Sequence, residues 1–150
     1  PSPKVPTYDM QPEMSAADMH HFLREHFSQI DDLDLVIEQV ERQAVRVRLP
    51  ISNAHLRPGG TVSGPSMMQL ADLVMYLLVL AQAGRPAASA VTSNMTINFL
   101  RRPPVKDVIG QGRMLRLGRR LAVGEVDLFS AGEAEPVAHA VLTYAVPAAG

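Results

Sequence analysis

Apolar side chains recur at helical spacing in two segments of the chain. The first segment follows Ser15 and Asp18, a capping pair typical of a helix start, and it ends before a run of aspartates. Its apolar positions are Met19, Phe22, Leu23, Phe27 and Ile30. The second segment begins at Gly64, which is followed by proline, and it stops at Gly84. It is apolar nearly all round, which predicts a helix over 64–83 that other structure encloses.

Alternation of apolar and polar residues predicts six strands in the rest of the chain. Two strands, 35–40 and 44–49, form a hairpin, and residues 51–62 hold a proline and two glycines typical of a loop. Short turns at 118–120 and 131–133 predict that the other four strands form an antiparallel meander. These four strands span 89–100, 108–117, 121–129 and 137–146. The strand at 89–100 has an apolar and a polar face, with Val91, Met95, Ile97 and Phe99 opposite Thr92, Asn94, Thr96 and Asn98.

This order of elements predicts an α+β protein. An antiparallel sheet with one apolar face must cover that face, and helix 64–83 is the long apolar element available to do so. A sheet wrapped around a long central helix is the hotdog fold. We assign residues 15–147 to a single hotdog domain and residues 1–14 to a loosely attached N-terminal arm that is rich in proline.

Composition narrows the classes of function. The 150 residues contain no cysteine, which excludes disulfides, zinc–thiolate sites and a cysteine nucleophile. A formal net charge of −1 and an aromatic content of 5% give no reason to expect a nucleic-acid partner. The unbroken apolar run at 73–81 covers about half of the roughly 20 residues that cross a bilayer. We therefore predict a cytoplasmic protein with neither nucleic acid nor membrane as a partner.

Asp72 has no evident structural role in the central helix. It lies two turns into the most apolar helix, too far from the N-terminus to cap it. A buried carboxylate needs an ionic or hydrogen-bonding partner, and Gln69 and Tyr76 fall on the same helix face. In one interpretation Asp72 forms a salt bridge with one of the twelve arginines or faces solvent at a subunit edge. In the other it is a catalytic carboxylate.

A resemblance favours the catalytic interpretation. The segments that carry it are RPGGTVSGPSMMQLAD at 57–72 and VTSNMTINFLR at 91–101. They resemble hotdog-fold acyl-CoA thioesterases of the phenylacetate-degradation (PaaI-like) type, whose pattern is Asn-Pro-x-Gly-x-x-His-Gly-Gly followed by a helix with Leu-Ala-Asp. The similarity covers roughly 35–146, and Leu-Ala-Asp is its most specific part.

The resemblance implies roles for three residues in hydrolysis of an acyl-CoA or aryl-acyl-CoA. Asp72 matches the general base or nucleophile, and the backbone N–H of Gly64 matches the group that polarises the thioester carbonyl. Thr92 matches a serine or threonine that helps to position water. A helix N-terminus is suited to a developing oxyanion, and a carboxylate in apolar surroundings gains basicity.

The chain departs from the family pattern at the start of the central helix. Arg57 replaces the asparagine, Ser63 the histidine and Pro65 the second glycine. Arg57 either replaces the amide as a cationic donor to the substrate or pairs with Asp72 and silences it. Ser63 either supports the substrate or caps the helix.

The spacing of two of these groups predicts an oligomer. Gly64 and Asp72 are eight residues apart, about 12 Å along one helix, so one carbonyl cannot touch both. If both act on one thioester, they come from different chains. We therefore predict a homodimer with its active site across the interface, with pairing into a tetramer left open.

Charge is divided unevenly along the chain, in a way that suits an anionic ligand. Residues 1–44 hold three basic and nine acidic groups, whereas 45–150 hold eleven and six. Five arginines fall at strand ends and turns, where they either bind the phosphates of coenzyme A or lie in solvent. These are Arg101, Arg102, Arg116, Arg119 and Arg120. The predicted substrate-binding residues are Arg57, Ser63, Gln69, Arg101, Arg102 and Arg119, and coenzyme A enters as part of the substrate with no separate cofactor.

Other chemistries fit less well. Ser63 lacks the glycine spacing of a serine-hydrolase elbow, and the five histidines show no metal-ligand spacing, so we predict no metal site. A dehydratase of the same fold would use a histidine and an acid, but His55 lies outside such spacing. The main alternative is a catalytically silent hotdog module that binds acyl-CoA or a protein partner.

Overall fold

The fold is an antiparallel sheet curved around one long helix. The computed structural model describes residues 11–27 and 34–147. Its helices are α1 (Ala16–His26) and α2 (Gly64–Ala83). Its strands are β1 (Val36–Val40), β2 (Ala44–Leu49), β3 (Leu56–Arg57), β4 (Thr61–Val62), β5 (Val91–Phe99), β6 (Val108–Leu117), β7 (Leu121–Ser130) and β8 (Ala138–Ala145).

The main sheet has the strand order β1-β2-β6-β7-β8-β5, with every pair antiparallel. The prediction of an α+β hotdog fold is confirmed. The predicted four-stranded meander is correct only for β6, β7 and β8, because β5 pairs with β8 at the sheet edge rather than with β6. The connection at 100–107 is long enough to cross between these places. The predicted loop at 51–62 is also more ordered than expected, since it contains a short 3-10 turn and the β3–β4 hairpin.

Helix α2 is the core of the molecule. Its middle residues, from Val74 to Ala81, are buried on all sides. By length and composition α2 could cross a membrane, since its mean hydropathy over 18 residues is 1.4. However, 61% of this segment is buried inside the structure, as in the core helix of a globular domain.

Three glycines let the sheet approach α2 closely. Gly110 and Gly112 on β6 and Gly124 on β7 lie on the face that covers the helix, where a methyl group would collide with α2 side chains. At Gly112 the added carbon would lie 2.5 Å from Val74 and 2.7 Å from Leu78. The absence of side chains at these three positions therefore makes room for α2 against the inner face of the sheet.

The N-terminal helix packs against β1. Ser15 and Asp18 form the predicted capping box, and α1 buries Met19, Phe22 and Leu23. Ile30, predicted to lie on the same apolar face, is outside the described residues, as is the predicted arm up to residue 10. The end of that arm is attached rather than loose, because Met14 is buried and the Glu13 N–H donates to the main-chain oxygen of Ala81 at 2.7 Å.

Candidate active site

Two hydroxyl groups hold the carboxylate of Asp72. Thr92 Oγ1 on β5 donates to Asp72 Oδ1 at 2.6 Å, and the Tyr144 hydroxyl on β8 donates to the same oxygen at 2.7 Å. The Tyr144 hydroxyl also lies 2.9 Å from the main-chain oxygen of Asp72. A helix and two strands therefore meet at one carboxylate.

A β-bulge turns Thr92 toward this carboxylate. Thr92 pairs with Tyr144, but Asn94 pairs with Thr143, so Ser93 is an extra residue in the ladder. In a regular ladder Thr92 and Asn94 would share a face, as the sequence pattern predicted. The bulge instead places Thr92 on the inner face with Tyr144. The predicted faces of this strand are therefore wrong at two positions. Thr92 lies on the inner face, where it contacts Asp72, and Val91, predicted to be on the apolar face, is 61% exposed and pairs with Ala145.

Asp72 has no cationic partner in the parts of the chain that the structure describes. No lysine, arginine or histidine there lies within 4.0 Å of its carboxylate. The interpretation that pairs Asp72 with an arginine of its own chain is therefore wrong. Arg57, which was the specific candidate for that pair, lies exposed on β3.

An open cavity of about 680 Å³ lies beside Asp72. Gln69, Leu73 and Tyr76 line it from α2, and Phe27 lines it from the end of α1. The Tyr76 hydroxyl donates to the main-chain oxygen of Ala88 at 2.7 Å, and its ring meets Phe27 edge-on at 5.5 Å between centroids. The cavity thus places the Asp72 carboxylate, with the hydroxyl groups of Thr92 and Tyr144, beside a largely apolar wall. This arrangement suits a substrate with an apolar body and one reactive polar group.

Both cavity tyrosines remain protonated at neutral pH. Burial raises the pKa of Tyr76 and of Tyr144 above the ordinary value of a phenol. For Tyr144, the neighbouring Asp72 carboxylate raises the pKa further. Each hydroxyl therefore acts as a hydrogen-bond donor in the site.

The N-terminus of α2 leaves one backbone donor unused. Ser63 Oγ accepts from the Ser66 N–H at 3.2 Å, the Met67 N–H donates to the Ser63 main-chain oxygen at 3.2 Å, and Pro65 has no N–H. Within the described residues the Gly64 N–H has no acceptor. Ser63 thus has the capping role, whereas Gly64 presents a free donor at the positive end of a 20-residue helix.

Gly64 and Asp72 lie at opposite ends of β5. Gly64 lies beside the Phe99 ring, since a methyl group added at Gly64 would be 3.6 Å from that ring. Asp72, in contrast, contacts Thr92. Eight residues of helix separate them, about 12 Å. The structure therefore does not bring the two groups together within one chain.

The predicted arginines do not form one cluster. Arg102 donates to the Gly59 main-chain oxygen at 3.1 Å, and Arg101 pairs with Glu135 at 2.9 Å, both on the side of the β3–β4 hairpin. Arg119 lines a separate cavity of about 600 Å³ beside the C-terminal end of α2. Any ligand that used all of them would have to span the length of α2.

Sequence reasoning missed Tyr144 and the position of Phe27 in the cavity wall. Tyr144 follows the alternation of β8 as an ordinary inward residue, so only its pairing with β5 shows its contact with Asp72. Among the described residues no group of three or more histidine, aspartate or glutamate side chains could hold a metal ion.

Comparison with known proteins identifies the family. The model of the Thioesterase superfamily matches residues 59–137. A candidate thioesterase from Silicibacter sp. TM1040 shares 45% sequence identity and a TM-score of 0.84, with 92% of this chain and 95% of that chain covered. A search of curated proteins gave no match.

More distant structures share the fold. The PaaI protein of the Escherichia coli phenylacetic acid degradation operon has 19% identity and a TM-score of 0.77, with 88% of this chain and 93% of that chain covered. A hypothetical thioesterase of Streptococcus pneumoniae TIGR4, solved with coenzyme A, has 24% identity and a TM-score of 0.69, with 77% and 90% covered. The match of the family model over more than half of the sequence and the 45% identity to the Silicibacter candidate support thioester hydrolysis, and the chain belongs to the thioesterase superfamily.

Proposed function

We propose that this protein hydrolyses acyl-CoA or aryl-acyl-CoA thioesters to the free acid and coenzyme A, with Asp72 as the reactive carboxylate. The observation that carries the proposal is a carboxylate with no cationic partner among the described residues, held by two hydroxyl donors at an apolar cavity. An ion pair would hold the carboxylate against a fixed positive charge and reduce its reactivity, whereas hydroxyl donors orient the carboxylate without such a counter-charge.

The chemistry needs no cofactor beyond the coenzyme A of the substrate. As a base, Asp72 takes a proton from water, and the oxygen of that water attacks the thioester carbon. The carbon–sulfur bond then breaks, and the proton held by Asp72 passes to the leaving sulfur, which releases coenzyme A as its thiol. As a nucleophile, Asp72 attacks the thioester carbon, and the carbon–sulfur bond breaks to release the coenzyme A thiolate. Water then hydrolyses the resulting acyl–aspartate anhydride to the free acid, which regenerates Asp72. On either route negative charge develops on the carbonyl oxygen, which the Gly64 N–H of a helix N-terminus stabilises.

The two groups meet if two chains pair through β5. This strand is the edge of the sheet, has nine residues, and contains neither proline nor lysine to prevent pairing. At one end of this strand, Met68, Phe99 and Leu100 are 41%, 49% and 53% exposed, which forms an apolar margin that a partner would cover. Antiparallel pairing of β5 with its copy brings the Phe99 end of one chain opposite the Thr92 end of the other. Gly64 of one protomer then approaches Asp72 of its partner, in a two-fold homodimer.

The coenzyme A moiety carries phosphates, and the arginines near the site are suited to them. The streptococcal structure contains coenzyme A, which supports this class of ligand for the fold. Arg57, Arg101 and Arg102 lie near the β3–β4 hairpin at the Gly64 end of α2, so in the proposed dimer they flank the site from the partner chain. Gln69 lines the cavity itself, and Arg119 is the more distant candidate.

Thiol release tests the proposal. Purified wild type and Asp72→Asn are incubated with a panel of aliphatic and aromatic acyl-CoAs, and free coenzyme A is measured. Because asparagine keeps the shape but cannot accept the proton, we expect kcat/KM to fall by about 10²–10⁴-fold for the best substrate. Equal rates for both proteins would contradict the assignment of Asp72. Binding of acyl-CoA without any turnover by the wild type would instead favour the silent binding module.

A further inference from the structure

The two hydroxyl donors at Asp72 act on the same oxygen. Thr92 and Tyr144 both donate to Oδ1, at 2.6 Å and 2.7 Å, while Oδ2 receives no hydrogen bond from the described residues. A carboxylate oxygen that already accepts two short hydrogen bonds has little capacity left to accept another one, for example from water. The two oxygens of Asp72 are therefore chemically different in this structure.

Tyr144 is the more rigid of the two donors. Its side chain is 2% exposed, on a strand that is paired on both sides, by β7 and by β5. Thr92 lies on the edge strand, at the bulge. The Tyr144 hydroxyl also contacts the main-chain oxygen of Asp72, so it is anchored to the helix turn as well as to the carboxylate. If the carboxylate rotated so that its two oxygens exchanged places, the hydrogen bonds from Thr92 and Tyr144 to Oδ1 would both break.

We propose that Tyr144 is a positioning residue that fixes Oδ1 of Asp72 and thereby assigns Oδ2 as the oxygen that takes the proton from water or attacks the thioester carbon. This inference depends on the proposed function of Asp72. Tyr144 itself does not exchange a proton with the substrate. Its hydroxyl contacts Oδ1, the oxygen that does not react in this arrangement, and so sets the angle at which Oδ2 is presented.

A kinetic comparison of Tyr144→Phe with wild type tests the inference. Phenylalanine keeps the ring and its packing against Tyr76, at 6.4 Å between centroids, and removes only the hydroxyl. Loss of one hydrogen bond that orients the carboxylate is expected to lower kcat about tenfold. KM and the inhibition constant of the product coenzyme A should stay within about twofold of wild type, because binding groups are untouched.

The controls separate positioning from a structural role and from the proposed function. Thr143→Val changes the neighbouring residue on the outer face of β8 and should leave kcat, KM and Tm near their wild-type values. The positioning role would be overturned if kcat is unchanged in Tyr144→Phe. It would also be overturned if kcat falls only together with a higher KM, weaker product inhibition and a lower Tm. If Asp72→Asn is inactive while Tyr144→Phe has full activity, only this inference fails. If Asp72→Asn is fully active, the proposed function fails and this inference with it.

Discussion

At the scale of single residues, Asp72 shows how a half-buried charge is retained without an ion pair. Thr92 and Tyr144 satisfy Oδ1, and the open cavity leaves the rest of the carboxylate accessible to solvent. A partner arginine would compensate the burial more fully, but it would also hold the carboxylate in a form of low basicity. The hydroxyl donors provide orientation at a smaller cost in reactivity.

The contribution of the Thr92 hydroxyl can be isolated. Thr92→Val preserves the shape of the side chain but leaves Oδ1 with one donor, so we expect kcat to fall about tenfold, the effect of one hydrogen bond in the site. Thr92→Ser restores the hydroxyl and should recover most of the rate. Steady-state thiol release measures both variants.

Thr96→Val is the matched control, because Thr96 lies on the same strand but on its outer face, with its hydroxyl beside Asn94. A loss of rate in this variant as large as in Thr92→Val would show that β5 is sensitive to any polar-to-apolar change, and the role of the Thr92 hydroxyl would be refuted.

At the scale of elements, local chemistry defines α2 and long-range pairing defines its surroundings. The capping Ser63, the following Gly64 and Pro65, and the terminal Gly84 are local signals, and the predicted helix has the bounds 64–83 that the structure shows. Asp72 and its position two turns into the helix could be predicted for the same reason. Thr92 was identified only through the family resemblance.

Other features of the site depend on contacts that no local pattern records. Tyr144 is 72 residues from Asp72, and the bulge at Ser93 exists only because β5 pairs with β8. The same holds for the arginines: Arg101 and Arg119 both follow strand ends in the sequence, but those ends lie at opposite ends of α2. Strand order decides these distances, and the sequence pattern did not predict the place of β5.

The fit of α2 into the sheet gives a prediction about stability. Gly112→Ala places a carbon 2.5 Å from Val74 and 2.7 Å from Leu78, so helix and strand must separate. Overpacking of this kind costs about 1–3 kcal/mol, which we expect as a lower free energy of unfolding in denaturant titration.

Gln111→Ala is the control, since Gln111 is the neighbouring residue on the exposed face of β6. A change in unfolding free energy of the same size in this variant would mean that β6 tolerates no alanine, and the argument from close packing would fail.

The outer face of the sheet gives a prediction about pH. Hydrogen bonds from Arg113, and then from His139, hold the pKa of Glu125 below its ordinary value. A carboxyl whose pKa is lowered on folding contributes stability above its unfolded-state pKa and loses it as the pH falls through the folded value. We therefore expect Glu125→Gln to lower Tm at pH 6 and to have a much smaller effect at pH 3. Thermal melts at both pH values measure it.

Glu135→Gln serves for comparison in the same melts, because the Glu135 side chain is 72% exposed and its pair with Arg101 lies in solvent. A pH-dependent difference of equal size there would assign the effect to net charge rather than to the contacts of Glu125.

At the scale of the whole molecule, one chain carries both groups needed for the proposed reaction but holds them apart. Gly64 lies beside Phe99 and Asp72 beside Thr92, at the two ends of an edge strand that pairs with the sheet on one side only. A two-fold axis through the middle of β5 exchanges these ends, so a dimer contains two complete sites and a monomer none. Light scattering at micromolar concentration should therefore show no monomer.

Complementation between two inactive variants tests this arrangement directly. Asp72→Asn removes the carboxylate, and Gly64→Pro removes the N–H at a helix position where proline is tolerated. Each variant alone should be inactive. In a heterodimer of the two, one site combines the intact Gly64 of the first chain with the intact Asp72 of the second. The isolated mixed dimer should then have about half of the wild-type specific activity, because one of its two sites is complete.

The two variants are co-expressed with different tags, the mixed dimer is isolated on both tags, and thiol release is measured. Gly64→Ala is the control for the glycine position, because it keeps the N–H and its methyl group meets Phe99 at an ordinary 3.6 Å. We expect it to be active on its own. If the isolated mixed dimer has no activity while Gly64→Ala does, the two groups do not act across the interface. The site would then lie within one chain, and Gly64 would need a role other than polarising the thioester carbonyl.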